Sequence, residues 1–284
     1  MVSIRDTTVI DCGVFDSGQC DLGNIIAFFA RNRDHKFIYK RIFSDEERLS
    51  INQPERRWEL WTKRIWELVV AEYSEHIRNS SGGKEFVLVG SCPLSLFVNI
   101  GACIGRPVWF VNQFRGVLQY FDLSFKQNPH FLQPRPDISQ LKIFETEMFT
   151  TDESIVTPTI LIFLTTNRHY KLGDRDKQRI SELLEEKNPI LKIGAFCTIR
   201  PKSETPFILD GKETDNPTDL TEIREELYDI NQRIRYEFPD MRGAVLAPAI
   251  PAVVALIYGA IWKTNLFGGL MIAERIGNEY DVLV

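Results

Sequence analysis

The chain has 284 residues, 44% apolar and 26% charged, enough apolar side chain to fill one large core or two ordinary ones, which excludes a disordered or fibrous class. A formal net charge of −5 excludes the extended basic footprint that duplex nucleic acid demands, and leaves open a small anion held by a few backbone amides. Five cysteines (Cys12, Cys20, Cys92, Cys103, Cys197) without a CxxC, and four scattered histidines, give no zinc pattern and fit a reduced, cytoplasmic chain.

Strands are predicted over 8–12 and 36–43, flanking a helix over 22–32. A long amphipathic helix follows, carrying Trp58, Trp61, Ile65 and Leu68 at 3-4-3 spacing on one face. A strand over 86–89 then leads into an apolar helix over 93–104, and strands over 108–112 and 117–123 form a hairpin turned at Arg115-Gly116. Residues 124–158 hold Pro129, Pro134, Pro136 and Pro158 and read as a linker or ordered excursion without a strand. Beyond it come a strand over 159–165, a helix over 176–186, a strand over 191–197 and a long loop over 200–217. A second long helix carries Leu220, Ile223, Leu227, Ile230 and Ile234. A strand over 244–246, a helix over 251–262 and a hairpin of 270–274 with 280–284, turned at Ile276-Gly277, complete the chain. The uncharged run 243–262 is long enough to span a bilayer. Pro248 and Pro251 divide it into strand, turn and helix, so no membrane segment is expected.

The two halves repeat. Laying Val87-Leu88 on Val245-Leu246 also brings Pro93 onto Pro251 and Gly101-Ala102 onto Gly259-Ala260. Matching the long helices needs a shift four residues larger, and the surplus falls in the turn Asn79-Ser80-Ser81-Gly82-Gly83. The expected fold is therefore α/β: two pseudo-symmetric Rossmann-like halves, over 1–123 and 159–284, with mostly parallel sheets and helices on both faces.

Ligands of open parallel sheets sit beyond the carboxyl ends of the strands, beside helix N-termini whose amides favour phosphate. The matching turns are Gly90-Ser91-Cys92-Pro93 and Ala247-Pro248-Ala249-Ile250-Pro251, flanked by the loops Gly13–Gly18 and Thr166-Asn167-Arg168-His169. The halves are expected to bring these turns around one pocket, suited to a ring of similar units bearing several phosphates. The candidate ligand-binding residues are Ser91, Cys92, Pro93, Asn167, Arg168, His169, Pro248, Ala249 and Ile250. Phe114 and Arg115 at the hairpin tip join them, because aromatic and guanidinium faces stack on bases. Strand–turn–helix corners also occur for packing alone. Trp109, Phe110, Tyr120 and Phe121 read as core, and Asp122 and Glu274 as surface charges. There is no GxGxxG or P-loop, and no cofactor is implied.

A strand ending in a Pro-containing turn, an apolar Gly/Ala helix and two closing strands, all occurring twice, resembles the SAVED domain, a fused pair of CARF-like Rossmann halves. The resemblance rests on Val245–Pro251 through Gly259-Ala260 with Tyr280, and on the corresponding stretch from Val87 to Tyr120. It implies a sensor that binds a cyclic oligonucleotide, a cyclic tri- or tetranucleotide, in antiviral defence of the CBASS or type III CRISPR kind. Signalling would pass through self-association or a separate effector, since most members of that family carry a fused effector and no residues of this sequence are left over for one. Two alternatives stand beside it: an enzyme that degrades the messenger, as ring nucleases do, with His169 or Ser91 in the site, and a scaffold subunit that binds nothing. No catalytic motif is present: Gly90-Ser91-Cys92 is not GxSxG, and no ordered Ser/His/Asp set can be picked out.

Overall fold

The computed structural model describes residues 6–13, 22–29, 36–50, 58–78, 85–103, 108–114, 117–123, 137–203, 220–264 and 269–283. These fall into two compact units, Met1–Gln127 and Asn128–Val284.

The first unit runs β1 (Asp6–Asp11), α1 (Leu22–Phe29), β2 (Lys36–Arg41), α2 (Asp45–Ser50), α3 (Trp58–Arg78), β3 (Glu85–Val89), α4 (Leu94–Cys103), β4 (Val108–Phe114) and β5 (Val117–Leu123). Its sheet has the order β2-β1-β3-β4-β5, parallel throughout except that β5 returns antiparallel to β4. Alternation along the strands fills two layers. Val9, Val87, Val89 and Val111 face Ile25 and Phe29 of α1. Phe86 and Phe110 point the other way and meet Tyr73 of α3 and Phe97 of α4 edge-on.

In the second unit come β6 (Phe144–Thr150), β7 (Thr159–Thr165), α5 (Asp174–Lys187), β8 (Ile193–Pro201), α6 (Leu220–Glu237), β9 (Gly243–Ala249), α7 (Ala252–Thr264), β10 (Gly269–Ile276) and β11 (Glu279–Leu283). The order β11-β10-β9-β7-β8-β6 repeats the first sheet strand for strand and adds β6 at its outer edge. Every residue of β7 is buried, as expected of a strand paired on both sides and covered on both faces. Leu161, Phe163, Val245 and Ala247 face Ile180, Leu183 and Leu184 of α5. The two strand orders agree, so the repeat read from the sequence is a repeat of fold.

Three expectations are corrected. The segment read as strandless contains β6, which pairs antiparallel with β8 from Phe144–Pro201 to Thr150–Ala195. Pro248 and Ala249 are the last residues of β9 rather than a turn. Pro248 fits because β10 pairs with β9 only as far as Leu246, so its missing N–H faces no strand. Glu274 is buried at 8% exposure, not a surface charge. The run 243–262 divides into β9 and α7, and among the described residues no helix is long and apolar enough to cross a membrane.

Candidate functional site

Each sheet reverses its direction of growth at its centre, between β1 and β3 and between β7 and β9. The crevice at such a point, beyond the carboxyl ends of the strands, is where open α/β sheets hold ligands. The two crevices are built alike. The Cys12 N–H donates to the Val89 carbonyl at 3.0 Å, and the Thr166 N–H donates to the Ala249 carbonyl at 3.2 Å.

In the first unit the chain leaves β1 under the control of Asp11. One oxygen of its carboxylate accepts the Gly13 N–H at 2.9 Å and the other accepts the Tyr39 hydroxyl at 2.9 Å. Beside it, Gly90 has a φ of +104°, and a Cβ there would lie 2.4 Å from the Gly13 nitrogen and 2.7 Å from its Cα. Only glycine lets the turn after β3 pass so close to the end of β1. The turn then presents half-buried Ser91 and buried Cys92 and Pro93, and α4 starts as the Leu96 N–H donates to Pro93 O at 3.1 Å. Residues 14–18 and Arg115 lie outside the described residues, as does the side chain of Phe114, whose backbone ends β4.

The second unit builds its crevice with side chains. Thr165 Oγ1 accepts the Asn167 N–H at 3.0 Å, and Asn167 Oδ1 accepts the His169 N–H at 3.0 Å. Asn167 is thus a turn former, with its side-chain oxygen committed to the backbone. The Arg168 guanidinium donates to the carbonyl of Lys202 just past β8, which fixes the arginine across the end of that strand. His169 is exposed. The turn into α7 is Ile250-Pro251, and Pro251 O accepts the N–H groups of Val254 and Ala255 at 3.0 and 3.1 Å. The first amides of α7, those of Ala252 and Val253, have no acceptor within the helix, which is the usual condition of a phosphate-binding helix start.

The sequence reading missed a cleft of about 520 Å³ on the same end of the second sheet. Arg175, Asp176, Gln178 and Arg179 of α5 line it on one side, with Asn278 of the β10–β11 turn and Tyr280 of β11 on the other. That turn is two residues long, with Gly277 at a φ of +64°. Arg275 donates to the Tyr170 hydroxyl, tying the hairpin to the loop after β7. Burial, with Tyr170 and Asp176 nearby, pushes the Tyr280 hydroxyl up to about 12, so it stays protonated. The i, i+4 pair Arg175/Arg179 and the Gly-Asn turn were the available signals. Burial pushes the Cys197 thiol well above the ordinary thiol range. Among the described residues no group of three metal-ligating side chains converges.

Two α/β units of one strand order, each closed by an antiparallel hairpin, define a paired CARF-like Rossmann architecture. The fold is that of SAVED/CARF-domain proteins. The Acinetobacter baumannii Cap4 SAVED/CARF-domain containing receptor, solved with the cyclic trinucleotide 2'3'3'-cAAA, matches 99% of this chain with a TM-score of 0.53 at 12% identity. The same receptor solved with 3'3'3'-cAAA matches 99% with a TM-score of 0.50 at 11% identity. This chain spans about half of each, 51% of the receptor's length. No family model and no curated protein matches the sequence.

Proposed function

We propose that this chain is a sensor that binds a cyclic oligonucleotide of three or four units. The observation that carries the reading is the duplicated crevice: two sheets of one strand order, each with its central strands tied end to end by one backbone hydrogen bond. A ligand of repeated phosphates suits a protein that repeats one strand-to-helix turn, each leading into a helix N-terminus. The fold it shares with receptors solved with cyclic trinucleotides supports the same assignment. In this reading the strand-end turn of each unit receives phosphate: the amides around Ser91 in the first, and those of Ala252 and Val253 at the start of α7 in the second, where Arg168 and His169 supply further contacts and the Arg275–Tyr170 bond ties the hairpin beside the Arg175–Tyr280 cleft to the loop after β7. Binding would be transmitted by self-association or to a separate effector, in antiviral signalling.

The test mixes purified protein with a panel of cyclic di-, tri- and tetranucleotides, followed by calorimetry, light-scattering mass and product chromatography. Saturable heat with intact ligand supports the sensor, and a rise in mass supports self-association. Linear products would replace it with a messenger-degrading enzyme, and no heat with any ring would leave a scaffold.

A further inference from the structure

Cys12, the first residue past β1, and Cys92, in the turn before α4, have sulfurs 4.0 Å apart. Both are buried, at 0% and 7% exposure. The segments that carry them are already in contact: Gly90 leaves no room for a Cβ against Gly13, and both the N–H and the thiol of Cys12 donate to the Val89 carbonyl, at 3.0 and 3.1 Å. A disulfide needs its sulfurs about 2.05 Å apart, so closure asks for a movement of about 2 Å within a pair the fold has already brought together. Cys92 also lies two residues before α4, a ten-residue helix whose N-terminus carries partial positive charge.

We propose that Cys12 and Cys92 are a modification site that forms a reversible disulfide on exposure to hydrogen peroxide. The Cys92 thiolate attacks the O–O bond, giving a sulfenic acid and a hydroxide that leaves as water after taking a proton. The Cys12 sulfur then attacks the Cys92 sulfur and gives up its proton to the sulfenic oxygen; the S–S bond forms, the S–O bond breaks, and that oxygen leaves as a second water. Two thiols lose two electrons, and one peroxide is reduced to two waters. A dithiol reductant reverses the bond by exchange. The crosslink pins the end of β1 to the turn that carries Ser91 and Pro93. On the reading that this turn holds a messenger phosphate, drawing Cys92 toward Cys12 displaces those amides and weakens binding.

The full chain is treated with hydrogen peroxide, alkylated, and digested with chymotrypsin without reduction. Cleavage after Phe15 and Phe97 separates Cys12 from Cys20 and Cys92 from Cys103. The expected product is one crosslinked peptide pair joining Cys12 to Cys92, 2 Da lighter than the sum of its thiols and abolished by dithiothreitol. A crosslink through Cys20 or Cys103 instead, or full alkylation of Cys12 and Cys92 after treatment, overturns the proposal. This needs no variant. Cys92→Ala adds a control in which the pair is lost. Titration with a cyclic trinucleotide before and after oxidation is expected to show affinity about tenfold weaker in the oxidised chain. Equal affinity overturns the coupling. Absence of binding in both states overturns the sensor reading, and the coupling with it, while the peptide map still decides the disulfide.

Discussion

Gly90 holds the most constrained backbone position at the candidate site. In Gly90→Ala the added Cβ meets backbone atoms of Gly13 that have nowhere to retreat, at a φ unfavourable for any L side chain. The expected cost is about 1–3 kcal/mol, read as a lower urea midpoint with an unchanged slope. Stability equal to that of the native chain would mean that the turn does not pass so close. Tyr280 is tested by pH. Its hydroxyl is raised from 10.0 to about 12, mainly by burial, so the folded state holds the proton more tightly than the unfolded state. That contribution is complete below pH 10 and is lost as pH rises from 10 through about 12. Tyr280→Phe should therefore flatten the fall in stability between pH 10 and 12, as followed by thermal melts. A slope identical to that of the native chain would contradict the raised value. Gly90 and Tyr280 were both visible in the sequence, but neither φ nor burial can be read from a residue's name. The same holds for Asp11, whose carboxylate organises the exit from β1.

Most elements were legible because apolar spacing sets them: the 3-4-3 stripes of α3 and α6, and the short apolar runs of the parallel strands. The β6 strand was not. Prolines on either side of it weigh toward a linker, and Phe144–Thr150 carries two glutamates in seven residues. Its stability comes from partners far along the chain. Glu145 pairs with Arg200 at 2.7 Å, and Phe149 stacks on Phe196 with ring centres 5.6 Å apart. The buried Glu226 carboxylate of α6 accepts the backbone N–H groups of Lys142, Ile143 and Phe144. Such tertiary support leaves no local signal. The short helix α2 is the opposite case. Ser44 and Glu47 exchange hydrogen bonds at 3.0 and 3.2 Å in a capping box that the sequence reading passed over. Glu226→Gln should release the start of β6, because one of its two acceptors becomes a donor facing donors. A local loss of about 1–3 kcal/mol would speed amide exchange over 142–150 by roughly tenfold or more and leave β7 slow. Unchanged exchange over 142–150 would show that the carboxylate does not hold the strand.

The duplication was the feature most open to sequence reasoning, since one run of matched prolines, glycines and apolar pairs recurs and the sheets share one order. The site was legible only in part. Strand ends and loops could be placed, whereas the extension of β9 through Ala249, the anchoring of Arg168 on Lys202 and the Arg175–Tyr280 cleft depend on three-dimensional register. If the ligand sits at the crossing points, both sheets should respond at the same end. Hydrogen exchange with and without a saturating cyclic trinucleotide tests this. Slower exchange is predicted at 11–13, 90–94, 165–169 and 249–254, with the opposite ends of the strands unaffected. Protection confined to those opposite ends, or none at either crevice, would contradict the assignment.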